Sequence, residues 1–439
     1  MKKLLFFLFL GVSFVSCGQK NENVKEVYSV EELKQDFNVF RASLEEGHPA
    51  LYRYKSKAAM DSIFSVAAAA ITTQMTDMEF MRLVCKVAAL VGDGHLRVIP
   101  PKIHKDKLDE GKTATPFRVY WYDDKLFVIK NYSSLTDKEF LGAQILAING
   151  HAVSDILKEY LLIATSDGSN VTNKFRMLSR PRPFVRCLNY LYGYTETYQL
   201  DYIPLNESAV KKATLAGITF DELFNADKKR YPEIASIPQA GFDISPDNQY
   251  AYLRINSFDK ELLKDNKINF EKFLATSFKS SDDGHIKNLL LDLRGNGGGT
   301  DEYGKILFSY FTSQPFDYYT SLRMNKESFD FFKYTSSPDR KAPKGMLKAN
   351  SEGSFENIKH PNVGQQNPTL PTFTGNIFVL INGSCFSTTS EFLSILHYHT
   401  KAVFIGEESG GGYYGNCSGP APEFFLPITK VSVEIPLMN

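Results

Sequence analysis

Hydrophobic positions along the chain follow three different patterns. Over 29–91 they recur every three or four residues, as at Leu33, Phe37, Phe40 and Leu44, the spacing that lines one face of a helix. Ser29 with Glu32 and Thr76 with Glu79 form capping boxes, so helices are predicted to start at both. The Ala-rich stretch 56–71 predicts a helix between them, and Gly47-His48-Pro49 breaks the pattern ahead of it. Over about 115–210 apolar and polar residues alternate instead. Segments 117–121 and 126–129 flank Asp123-Asp124, a hairpin signal, and a strand over 142–150 leads to a helix from Asp155. From about 246 onward, 251–255, 288–293, 377–381 and 403–405 are apolar at nearly every position. Strands of that kind are buried on both faces, which predicts a largely parallel sheet covered by helices. Helical patterns at 302–311 and 390–399 supply the cover. The aperiodic stretch 336–372 reads as a surface insertion, with a lid as one use.

The first residues carry a separate signal. Lys2 and Lys3 precede an apolar run over 4–15, shorter than the about 20 residues that a spanning helix needs, and therefore an export signal. Ser16-Cys17-Gly18 resembles a lipobox, with Phe14 where Leu is usual, so Cys17 is expected to carry a lipid. The predicted organisation is a lipoprotein signal over 1–17, a tether over 18–28 and a helical domain over 29–110. A β-rich domain over 111–210, a connector over 211–245 and an α/β domain over 246–439 follow. The strand ending in Ile148-Asn149-Gly150 ahead of a helix resembles the second half of a PDZ-like domain. The body would face the periplasm or the cell surface, attached to the membrane only through its lipid.

Composition narrows the class. Fifty basic and fifty acidic residues cancel, and no basic block offers phosphates a footprint, so no nucleic-acid partner is expected. With 43% hydrophobic residues the chain can bury a sizeable core. Cys85, Cys187, Cys385 and Cys417 form no C-x-x-C pair. An oxidising compartment permits a Cys385–Cys417 disulfide; four buried thiols are the alternative. The histidines show no H-E-x-x-H spacing, and no metal or cofactor is expected. Gly410-x-Gly412-x-x-Gly415 lacks the following helix that a dinucleotide site needs.

Three segments carry chemistry. Asp292-Leu293-Arg294-Gly295-Asn296-Gly297-Gly298-Gly299 leaves a buried strand and enters a helix. Its glycines let backbone N–H groups approach a ligand where negative charge is stabilised, or simply make a tight turn. In Asn382-Gly383-Ser384-Cys385-Phe386-Ser387, Ser387 falls at a helix start, where its hydroxyl is either a nucleophile beside free amides or an ordinary cap. Gly92-Asp93-Gly94-His95 ends the helical region and exposes an imidazole that is either able to act as a base or an inert loop histidine.

Taken with Phe404-Ile405-Gly406-Glu407-Glu408-Ser409-Gly410-Gly411-Gly412, these strings resemble the tail-specific, or C-terminal processing, serine peptidases. The resemblance implies a ClpP/crotonase-like α/β catalytic domain within a multidomain α+β chain. It implies Ser387 as nucleophile, and Gly297, Gly298 and the Thr388 amide as oxyanion hole. One branch of that family uses a Lys; here Gly412 stands at its place, 25 residues after Ser387. The branch similar to the tricorn core uses a His from the helical region, which His95 matches. That branch adds a Glu well downstream of the Ser, for which Glu407 and Glu408 are stand-ins. Peptides or protein tails are the implied substrates. A catalytically inactive member that binds peptides or small apolar ligands is the other reading.

Overall fold

Both predicted capping boxes form in the computed structural model, which describes residues 25–235 and 237–439; the export signal and Cys17 lie outside the described residues. Ser29 caps the helix Val30–Gly47 and Thr76 caps Asp77–Val91, and in each the third residue's Glu accepts the cap residue's own amide. With Lys57–Ala69 these helices bury Leu33, Phe37, Phe40, Phe64 and Phe80. Three amphipathic helices leave an apolar face that needs a partner. The far end of the chain supplies it: Phe331, Phe424, Val433 and Leu437 belong to the same core. Strand Ser432–Glu434 pairs antiparallel with both Glu423–Phe425 and Arg97–Ile99. The predicted 246–439 unit therefore gives up its last strands to the N-terminal helices.

One buried carboxylate fastens that return. Asp36 is fully buried on the first helix. It accepts the amides of Ile428 and Thr429 at 3.0 and 2.7 Å and the Thr429 hydroxyl at 2.7 Å.

The middle of the chain forms an antiparallel sheet in the order Phe117–Tyr122, Lys125–Asn131, Gln144–Ile148, Thr197–Ile203, Lys211–Ala216. Asp123 and Asp124 have φ of 48° and 57°, the left-handed pair that a tight hairpin requires. Trp121, Tyr198 and Tyr202 pack beneath the helices Val153–Ile163 and Pro181–Tyr192. The predicted connector is not a passive link, since it contributes strands to two sheets.

The last sheet runs Val403–Gly406, Asn376–Ile381, Asn288–Asp292, Ala251–Ile255, Ala240–Ile244. Its first four strands are those predicted, and they pair in parallel; Ala240–Ile244 adds an antiparallel edge. Helices Phe270–Asp283, Asp301–Phe308 and Thr388–His399 cover it through Leu274, Phe278, Leu307, Phe308, Phe392 and Leu396. Within 336–372, Leu347–Ala349 and Phe355–Asn357 form a small antiparallel pair. Among the described residues no helix is long and apolar enough to cross a membrane.

Replacing Asp36 with Ala would strand three donors, the two on Thr429 buried. The expected loss is about 3–5 kcal/mol in denaturant unfolding; a variant within 1 kcal/mol of the parent would show that the return is held by apolar contacts alone.

Candidate active site

Ser387 ends the turn that follows strand Asn376–Ile381 and sits at the N-cap of Thr388–His399. Its backbone has φ 54° and ψ −130°, a conformation that costs a residue with a Cβ about 1–3 kcal/mol. The hydroxyl makes no capping hydrogen bond. The ordinary cap role left open by the sequence is therefore not the one adopted. The turn is tied to the glycine-rich loop at several points. Asn382 Oδ1 accepts the amides of Ser384 and Gly295, Cys385 Sγ donates to the Leu293 carbonyl, and the Phe386 amide donates to the Asn296 carbonyl. All four described cysteines are free and buried, so Cys385 and Cys417 are not bridged.

Gly298 needs to be a glycine. Its φ is 98°, and a Cβ there would fall 2.8 Å from both Ser387 Cβ and the Phe386 carbonyl oxygen. Its own N–H is directed to Asn296 Oδ1 at 3.0 Å. Of the three expected oxyanion donors, the amides of Gly297 and Thr388 are the ones without a protein partner among the described residues.

Gly92, in the left-handed region at φ 79°, stops the helix Asp77–Val91 and turns the chain into Asp93-Gly94-His95. The His95 ring then stacks on Phe386, centroids 4.5 Å apart and planes at 27°. An imidazole from the helical region thus lies against the residue that precedes Ser387. Gly94 permits the approach, because a Cβ there would come within 2.7 Å of the Phe386 ring.

Two carboxylates face His95. Asp93 Oδ1 accepts the His95 amide at 2.7 Å and lies 3.9 Å from Nδ1, an electrostatic contact too long for a hydrogen bond. Asp167 accepts the amides of Gly94 at 2.8 Å and Gly412 at 2.9 Å. Behind Asp93, His48 Nε2 approaches Oδ2 to 2.9 Å, both side chains buried. Burial pushes the Asp93 carboxyl up, but His48 and His95 outweigh it and hold it below the usual range. Asp167 is raised, by burial first. His95 is lowered by burial, which outweighs both carboxylates. Glu407 and Glu408 stand elsewhere. Glu407 accepts the Gly383 amide and lies 3.4 Å from Arg176, while Glu408 is exposed.

Two groups bring metal-binding side chains together: His48, Asp93 and Cys417, and Asp93, His95 and Asp167. His48 Nδ1 accepts the Ala50 amide at 3.3 Å, which engages that nitrogen's lone pair, and Nε2 faces Asp93 Oδ2 at 2.9 Å.

Residues 249–420 match the sequence profile of Peptidase family S41. The chain carries a domain of Peptidase family S41. That family is one of serine-type peptidases, and its matched segment contains the glycine run and Ser387, while His95 comes from outside it. Mature CPAF shares the fold with a TM-score of 0.59 at 14% identity, over 93% of this chain and 89% of that one. Mature CPAF complexed with lactacystin is similar, at 0.58 and 14%, over 93% and 90%. No curated protein sequence matches.

The S41 domain also buries an acid close to the Ser387 turn. Glu391, in the first turn of Thr388–His399, accepts the Tyr319 hydroxyl at 2.7 Å. Tyr319 also reaches Asp301, which pairs with His360 at 3.2 Å. Burial pushes Glu391 up to about 7. The sequence showed this Glu only as part of the Ser387 string; its burial depends on Tyr319, which is distant along the chain. An acid with a raised folded pKa stabilises fully below its unfolded value, and that contribution is lost as pH rises. Stability should therefore fall by about 3 kcal/mol between roughly pH 4.5 and 7 on account of Glu391. Glu391→Gln should flatten that part of a melting-temperature profile. An unchanged slope would show that Glu391 is ionised throughout.

Proposed function

We propose that this chain is a serine endopeptidase of the cell envelope that cuts peptides or protein tails, with Ser387 as nucleophile and His95 as general base. The observation that carries the reading is the contact of His95 with Phe386, beside a Ser387 held at positive φ with the Thr388 amide free. His95 takes the Ser387 proton as Oγ attacks the scissile carbonyl. The amides of Gly297 and Thr388 receive the oxyanion, and the imidazolium returns its proton to the leaving amine; water then releases the acyl group by the same steps. Asp93 is the third member, orienting His95 through its amide and favouring the imidazolium, with His48 as its support. Attachment through a lipid on Cys17 and capture of extended peptide ends by a PDZ-like middle sheet complete the reading.

One feature favours a non-cleaving, peptide-binding member. His95 Nδ1 is buried without a hydrogen-bond partner among the described residues, whereas a working base has its far nitrogen held. The Asp93 carboxylate is close enough to take up that bond when substrate tightens the site.

A fluorophosphonate probe should label the wild-type protein and not Ser387→Ala, and casein cleavage should vanish in the same variant. Cleavage persisting in folded Ser387→Ala would move the nucleophile elsewhere. Because burial holds His95 below its ordinary 6.5, the neutral base persists into mildly acidic solution. The acid limb of kcat/KM should therefore fall below about pH 6.5. A midpoint above pH 7 would contradict that assignment.

A further inference from the structure

Arg180 stands between the helices Thr172–Leu178 and Pro181–Tyr192. The first of them is braced on the turn that carries Ser387. Asn173 Nδ2 donates to the Gly383 carbonyl at 3.0 Å, and Gly383 packs so tightly on Thr172 that a Cβ there would lie 2.4 Å from its backbone. From this mount Arg180 reaches the glycine loop: a Cβ built on Gly297 would lie 3.9 Å from Arg180 Nη2. Arg180 is half-buried, and among the described residues no carboxylate, carbonyl or ring partners its guanidinium. Neighbouring Arg176 faces Glu407 and stacks on Tyr120, and Arg182 pairs with Asp109. Burial alone shifts Arg180, downward, with no acidic group offsetting it.

A guanidinium stays charged at any physiological pH, and removing it from water without a counter-ion is costly. Such a group beside the expected oxyanion amide is paired only when a ligand brings the anion. We propose that Arg180 is a specificity residue that binds a carboxylate of the substrate one or two residues from the scissile bond, about 3.5 Å per residue along an extended peptide. This rests on the peptidase reading above. The carboxylate belongs either to an Asp or Glu side chain or to the peptide's free end; both present the same planar, bidentate acceptor to an Arg fork.

The test begins with casein cut by the wild-type protein and its cleavage sites read by mass spectrometry. One cleaved peptide is then made in three forms: unaltered, with Asp and Glu near the cut replaced by Asn and Gln, and with a C-terminal amide. Wild type should favour the unaltered form over one of the two others by about tenfold in kcat/KM; which one it disfavours identifies the source of the carboxylate. In Arg180→Gln that ratio should fall to about one, and in Arg180→Lys it should fall part-way. The Lys variant decides the matter if the Gln variant does not fold. Indifference of the wild type to both changes, a ratio kept in Arg180→Gln, or equal slowing of all three forms would overturn the assignment. Equal slowing would place Arg180 at the reacting carbonyl instead. Wild type that cuts no casein would remove the peptidase reading and this one with it, whereas cleavage without acid preference removes this one alone.

Discussion

The stacking of His95 on Phe386 joins parts of the chain that lie far apart in sequence, and the rest of the architecture makes it possible. The turn Asp93-Gly94-His95 hangs from the end of a helix that belongs to one core, whereas Phe386 and Ser387 stand at the end of a strand that belongs to another. A ring contact of this kind contributes about a kilocalorie. It cannot itself hold two domains in register, so the register must come from elsewhere. Strand Arg97–Ile99, two residues beyond His95, is stitched to Ser432–Glu434. Asp167 ties the Gly94 amide to the Gly412 amide, joining the His95 turn to the loop that follows the edge strand Val403–Gly406.

The electrostatics of the site follow from the same closeness. Asp93 and Asp167 are both buried within reach of one imidazole, and their pKa values are pushed in opposite directions. Asp93 has His48 and His95 to stabilise its charge, while at Asp167 burial and the neighbouring Asp93 outweigh two backbone amides and His95. Asp167 meanwhile clasps the amides of Gly94 and Gly412. Arg180 brings a positive charge to the glycine loop, and among the described residues no acid pairs with it.

Backbone geometry was carried by residues that the sequence displays openly. Capping boxes at Ser29 and Thr76, the Asp123-Asp124 turn and four strands apolar on both faces are local or nearly local features, and each formed at its predicted place to within a few residues. The expected Ser387 and His95 were likewise conspicuous, because glycines and a strand-to-helix turn mark them. Less visible was the strand Ala240–Ile244, whose Gly and Asp dilute its apolar signal. The strands Glu423–Phe425 and Ser432–Glu434 were not anticipated at all, and nothing local shows which core they join.

What the order of amino acids determined on its own is the set of elements and the chemistry that each brings, since hydrophobic period, caps and turns act over a few residues. Tertiary structure alone decided which carboxylate faces His95, which glycine amide stays free and which arginine lacks a partner. Those properties are differences between competing long-range contacts. Asp93 lies between His95 and His48, Gly298 gives its N–H away to Asn296, and among the described residues Arg180 has no partner while Glu407 and Asp109 go to Arg176 and Arg182. Burial and pairing belong to the assembled chain, not to any segment of it.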